Sequence, residues 1–243
     1  MKSQILHFFD TFFIEYTSWK LLLLSTFHFA ILYFFLGYLF WKTCRFLFHQ
    51  GIMEKINDRI FSKQQLRNEI QQSIYSIIVF GFSSLPLAYL IQQGAIHLRE
   101  NTFFNTVSGL VILTFWNEVH FFVIHKALHL PILMKSVHHI HHRSVVPSVF
   151  SVYSFHPFEA FLLSSVLITI APFFDFCSAA LMLFPTVSIL INFSGHSNYR
   201  IITNTKRRWL LFATKHNEHH GKARQEFGFL TNFMDNIFTK IKK

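Results

Sequence analysis

The sequence predicts an all-α, multi-pass membrane protein of about four to five membrane segments, with a histidine-rich helical cap at one end. Three observations predict it. Hydrophobic residues make up 51% of the 243 and charged residues only 14%, against about 25% charge in an ordinary soluble domain. Long uncharged runs recur along the chain. Of the 16 histidines, 12 fall between His120 and His220, most of them in clusters.

With 33 Phe against 12 Asp and Glu and a mean hydropathy of +0.35, the chain cannot cover itself with charge, which excludes disorder and most soluble classes. Cys44 and Cys177 are its only cysteines, too few for a disulfide framework or a Cys-based zinc site.

Residues 21–41 carry no formal charge, and such a run spans a roughly 30 Å hydrocarbon core at 1.5 Å per residue. Trp19 and Trp41 flank it as interfacial anchors, and its length exceeds a signal-peptide core, so it reads as a retained span. A second run covers residues 73–91 and includes Pro86, which a membrane helix tolerates. A third begins at Thr102 and stays apolar to Ile124 despite Glu118 and His120. Residues 160–174 and 176–193, split by Asp175, are short for separate spans and read either as two passes or as a re-entrant or tilted hairpin. The chain divides into an N-terminal span with its basic connection, residues 1–70, and a second unit, residues 71–243.

A five-pass threading puts 19 of the 22 Lys and Arg on one face, the cytoplasmic one by the positive-inside rule, with the C-terminus on that side. This accounts for the +10 net charge without nucleic acid. Basic stretches such as Lys206, Arg207 and Arg208 read as contacts to anionic lipid headgroups.

The histidines repeat at helical spacing. His125 and His129 are i and i+4; His138, His141 and His142 are i, i+3 and i+4; His216, His219 and His220 repeat that pattern, so each set shares a helix face. His196 stands alone in SGHSNY. Imidazole suits Zn, Cu, Fe or Ni, and nine converging imidazoles exceed what one four-coordinate ion needs, so the count points to a di-metal cap. His120, five residues before His125, and His139, beside His138, should point off these faces. His156, before Pro157, and Glu118, seven residues before His125, are candidates for orienting an imidazole from behind. For His156 a helix-entry role competes, and for Glu118 a charge at the membrane boundary. His7, His28, His49 and His97 read as ordinary surface or hydrogen-bonded residues.

The ordered set H125-KAL-H129, H138-HI-H141-H142, His196 and H216-NE-H219-H220 resembles the fatty acid hydroxylase (sterol desaturase) superfamily of membrane di-iron enzymes, over roughly residues 70–240. The surrounding text WNEVHFFVIHKALH, HHRSVVPSVFSVYSFHPFEAF and FGFLTNFMDNIF is similar too. Lys126 stands where the family commonly has Arg, and Asn192 stands four before His196, where fatty acyl 2-hydroxylase relatives carry a second His nearby. None of the 243 residues reads as a cytochrome b5-like segment, so the resemblance points away from a sphingolipid hydroxylase. The resemblance implies two iron ions held by those nine histidines and O2 as co-substrate. It also implies hydroxylation of an unactivated C–H bond in a lipid, fatty acyl or sterol-like substrate. A desaturase or carotenoid-type oxidase on the same site is the alternative, and a non-catalytic membrane metal-binding protein is the rival outside enzymes. Electrons would come from a separate cytochrome b5-, ferredoxin- or reductase-type donor, since nothing in the sequence reads as a flavin or iron–sulfur site.

Overall fold

A computed structural model describes residues 8–9, 11–202, 212–222, 227–229, 231 and 233–241; the basic stretch at 206–208 lies outside them. Four helices are long and apolar enough to cross a membrane: α1 (Ser18–His49), α2 (Lys63–Gln92), α3 (Phe103–Leu128) and α6 (Ser178–His196). Between α3 and α6 lie a short helical stretch, α4 (residues 131–142), and the helix α5 (Pro157–Ile170). Helices α7 (Phe212–Lys222) and α8 (Phe233–Ile241) follow α6. Two small ladders tie the ends of the bundle: β1 (Met53–Lys55) runs antiparallel to β4 (Tyr199–Ile201), and β2 (Leu98–Arg99) runs parallel to β3 (Phe176–Cys177).

The protein is therefore a multi-pass helical membrane protein, and its fourth apolar run shows how the short segments are accommodated. It breaks at Ser164 and Ser165, whose hydroxyls bond back to the carbonyls of Phe161 and Leu162 and so compete with the helical ladder. The resulting helix is too short to rank as a span by length and composition. Yet β3, at the far end of its hairpin with α6, pairs with β2 in the α2–α3 connection, so the hairpin reaches the far end of the bundle.

Helix starts follow capping rules: Ser62 and Thr102 accept from the backbone N–H groups of Gln65 and Asn105 at the starts of α2 and α3. Helix α1 carries a π-turn at Leu32–Leu36. There Tyr33 is fully buried and donates its hydroxyl to the carbonyl of Phe150 at 2.7 Å. The loop before Phe150 is held by α2. Buried Glu69 accepts from Ser144 and Ser148, and Gln65 donates to both Glu69 and the carbonyl of Val146. Asn198, at φ 59° in the left-handed region that Asn tolerates, bonds Asn57 through its side chain in both directions and accepts from Asn217 of α7. That residue links the end of α6, the β1 turn and α7. The two cysteines are free and buried.

Helices α3 and α6 touch at Gly109, where an added Cβ would lie 2.7 Å from the Cβ of Ala180, the small-residue contact expected between membrane helices. Gly109→Val should therefore cost about 1–3 kcal/mol by overpacking, read as a lower thermal midpoint in detergent. Gly221→Ala, where nothing stands within 4 Å, should not lower it.

Candidate metal centre

All nine histidines of the sequence set meet at one end of the bundle. They arrive from the C-terminal turn of α3 and its cap (His125, His129), from α4 (His138, His141, His142), from the last residue of α6 (His196) and from α7 (His216, His219, His220). They form two groups whose donor atoms lie within 4.8 Å of one another: His125, His129, His138, His142 and His219 in the first, His141, His196, His216 and His220 in the second. The groups adjoin, with the rings of His142 and His220 at 5.3 Å between centroids.

The spacing explains the division. In each cluster the i, i+4 pair serves one group: His125 with His129, His138 with His142, and His216 with His220. The i+3 member crosses over, so His141 joins the second group and His219 the first. Each H-x-x-H-H motif thus contributes to both groups and locks them together.

The donors fit a transition metal. Across the first group, His129 Nε2 stands 3.1 Å from His219 Nε2 and 3.3 Å from His142 Nε2. In the second, His196 Nε2 stands 3.3 Å from His216 Nε2 and 3.2 Å from His220 Nε2. Nitrogens bound to one ion at about 2.1 Å at tetrahedral or octahedral angles stand about 3.0–3.4 Å apart. A neutral imidazole has one lone pair, so nitrogens converging in this way are satisfied by a shared cation better than by one another.

Outer contacts fix the donor atoms. His125 donates from Nδ1 to the carbonyl of Phe227 at 3.1 Å, and His196 donates from Nδ1 to the carbonyl of Asn192 at 3.0 Å. His138 Nδ1 faces Glu159 Oε1 at 2.8 Å, both side chains 1% exposed. These bonds place the proton on Nδ1 and leave Nε2 as donor. For His125 and His138 that atom is buried and bonded to nothing in the protein. Burial and the neighbouring imidazoles hold His138, His141, His216 and His220 far below the ordinary imidazole value, and His142 down to about 3. Near neutral pH these rings are uncharged, the state that binds metal.

The remaining site candidates stand elsewhere. His120 turns away from the cage to Ser165 Oγ at 3.0 Å, and His139 belongs to neither group. The Nδ1 of His156 accepts from the backbone N–H of Phe158, so it caps the start of α5, the helix-entry role. Glu118 accepts from the backbone N–H and hydroxyl of Thr231, which ties α3 to the segment before α8. A carboxylate that faces a cage ring is Glu159, which sequence reasoning passed over. Its signal was a lone acid three residues after His156 at the head of an apolar run.

The fatty acid hydroxylase family model matches residues 110–240, the segment that carries all nine histidines. Among known proteins, the chain is 27% identical to lathosterol oxidase of Homo sapiens over 140 residues, which cover 55% of this chain and 45% of that protein. It is 31% identical to Delta(7)-sterol 5(6)-desaturase ERG3B of Gibberella zeae over 108 residues, 43% of this chain and 33% of that protein. The chain thus spans less than half the length of these relatives. No solved structure matches it.

Glu159→Ala should lower metal affinity of the first group about 10- to 100-fold, the usual effect of losing an outer-shell partner, while Glu159→Gln, which keeps an acceptor, should lose less. Metal content after dialysis against a graded chelator checks both.

Proposed function

The chain belongs to the fatty acid hydroxylase family, and on that premise we propose that it is an O2-dependent membrane oxidoreductase. In this reading the nine histidines hold two iron ions, and an unactivated C–H bond of a lipid, fatty acyl or sterol-like molecule is hydroxylated. The observation that carries it is the pair of adjoining imidazole groups with their donors at metal-edge separations. Iron bound there would supply the two-electron activation of O2 that a saturated carbon requires, since such a carbon offers no handle to acid–base groups.

The chain's own residues do the rest. His125, His138 and His196 are held in the donor tautomer by Phe227, Glu159 and Asn192. In this reading two apolar cavities with shared walls serve as a corridor toward the cage. A cavity of about 100 Å³ is lined at one end by Phe121 and Phe155, whose rings lie 4.9 and 4.8 Å from those of His125 and His141. It shares Phe29, Phe80, Ser83 and Leu167 with a larger cavity of about 250 Å³. Such walls keep water from the reacting carbon and position it. The positive-inside rule places the cage and the basic connections on the cytoplasmic side, where a separate electron donor would dock. A membrane metal carrier is disfavoured because it would spread ligands along the spans, whereas these gather at one end.

The sterol desaturases among the relatives favour a second reading, alkene formation by removal of a second hydrogen. Comparing lipids of cells with and without the protein under ¹⁸O2 separates the two: labelled hydroxyl means hydroxylation, and loss of two hydrogens without label means desaturation. His141→Ala and His219→Ala should each remove bound iron and product while membrane insertion persists. Full turnover in either variant would overturn the ligand assignment.

A further inference from the structure

The far end of the corridor holds a polar atom that the oxidation chemistry does not use. His28 lies within the span α1, and its Nε2 is buried with no hydrogen-bond partner among the described residues. It lines the larger cavity. Leaving a polar group unpartnered in an apolar setting costs free energy, and an orphaned buried atom at the wall of a cavity marks a place where a ligand supplies the partner. Three serines on that wall are already committed: Ser83, Ser84 and Ser164 donate to the carbonyls of Phe80, Gly81 and Phe161 in their own helices. Ser25, one turn before His28, lines the same cavity.

The described lining of this cavity contains no Lys, Arg, Asp or Glu, so among the described residues a charged headgroup finds no counterion there. It suits a single uncharged oxygen on a hydrocarbon body. The corridor also sets a length. Leu181 lines the same cavity as His28, and His196 of the cage is 15 residues further along α6, roughly 20 Å at the helical rise.

We infer that His28 anchors the uncharged hydroxyl or carbonyl end of an elongated hydrocarbon substrate. A carbon remote from that end is then presented to the histidine cage. The role as a substrate anchor rests on the proposed oxidation; the binding itself does not. His28 lies outside the segment matched by the family model.

The test is equilibrium binding of two matched pairs, hexadecanol with hexadecane and cholesterol with cholestane, to the purified metal-loaded full chain in detergent. The wild type should favour the alcohol about five- to tenfold in at least one pair, the worth of one hydrogen bond. The pair that shows it tells a linear chain from a ring system. His28→Leu should abolish the preference and keep hydrocarbon binding, and His28→Gln, which retains a donor and an acceptor, should restore most of it. Equal affinity for alcohol and hydrocarbon in both pairs, or a preference that survives His28→Leu, overturns the inference. Metal content is measured on the same samples, and product in cells. A wild type that binds no iron on loading, or that forms no oxidised lipid in cells where an electron donor is present, would refute the oxygenase reading, yet the alcohol preference would still decide the role of His28.

Discussion

Burying many imidazoles in one place is the constraint on which the rest of this structure depends. A ring nitrogen removed from water must find a partner or cost free energy, and nine rings facing one another cannot all satisfy each other. The chain resolves part of the difficulty from behind. Nδ1 of His125, His138 and His196 is bonded to a carbonyl or a carboxylate, so for these three rings the outer demand is met and the inner lone pair is left for a cation. The same arrangement makes the cage a poor place for protons, since a charge on one ring would sit within a few ångströms of several others.

That constraint shapes the helices around it. The imidazoles come from the C-terminal ends of the spans α3 and α6 and from the short helices α4 and α7, which converge there. Ends are held by contacts with distant segments. Asn198 fastens the end of α6 to α7 and to the β1 turn, and Glu69 fixes the loop that follows α4 to α2. The buried carboxylates therefore divide the work: Glu159 faces a ring of the cage, Glu69 holds the backbone beside it, and Glu118 secures the segment that precedes α8.

The parts legible in the sequence are those governed by local periodicity. Uncharged runs gave the long spans because hydrocarbon leaves the backbone few alternatives to a helix, and helical spacing singled out eight of the nine histidines because the 3.6-residue turn brings each set to one face. His196 stood alone and joined them through the family resemblance. Contacts between segments were not legible. Glu159 meets His138 across 21 residues and Glu118 meets Thr231 across 113, distances at which no periodic signal survives. The allocation of His141 and His219 to opposite groups was equally hidden, since it depends on how α4 faces α7 rather than on either helix alone. The break in α5 depends on two serine hydroxyls turning inward, whereas sequence alone allows them to face either way. His28 looked ordinary for a related reason: whether a histidine in a span is satisfied or orphaned depends on the helices packed against it.

These facts together suggest why the molecule separates its chemistry along the chain. Every cage histidine comes from the segment between residues 110 and 240 that the family model recognises, where a shift of one residue would rotate a donor by about 100°. The corridor is different: its walls draw on Phe29 of α1 and Phe80 of α2, spans that contribute no imidazole to the cage. An apolar wall can exchange one large side chain for another at modest cost, but a coordination set cannot. The metal-binding half is therefore tightly constrained, and the first two spans are free to be refitted to a different hydrocarbon. Differences in substrate among chains of this architecture would be expected to concentrate there.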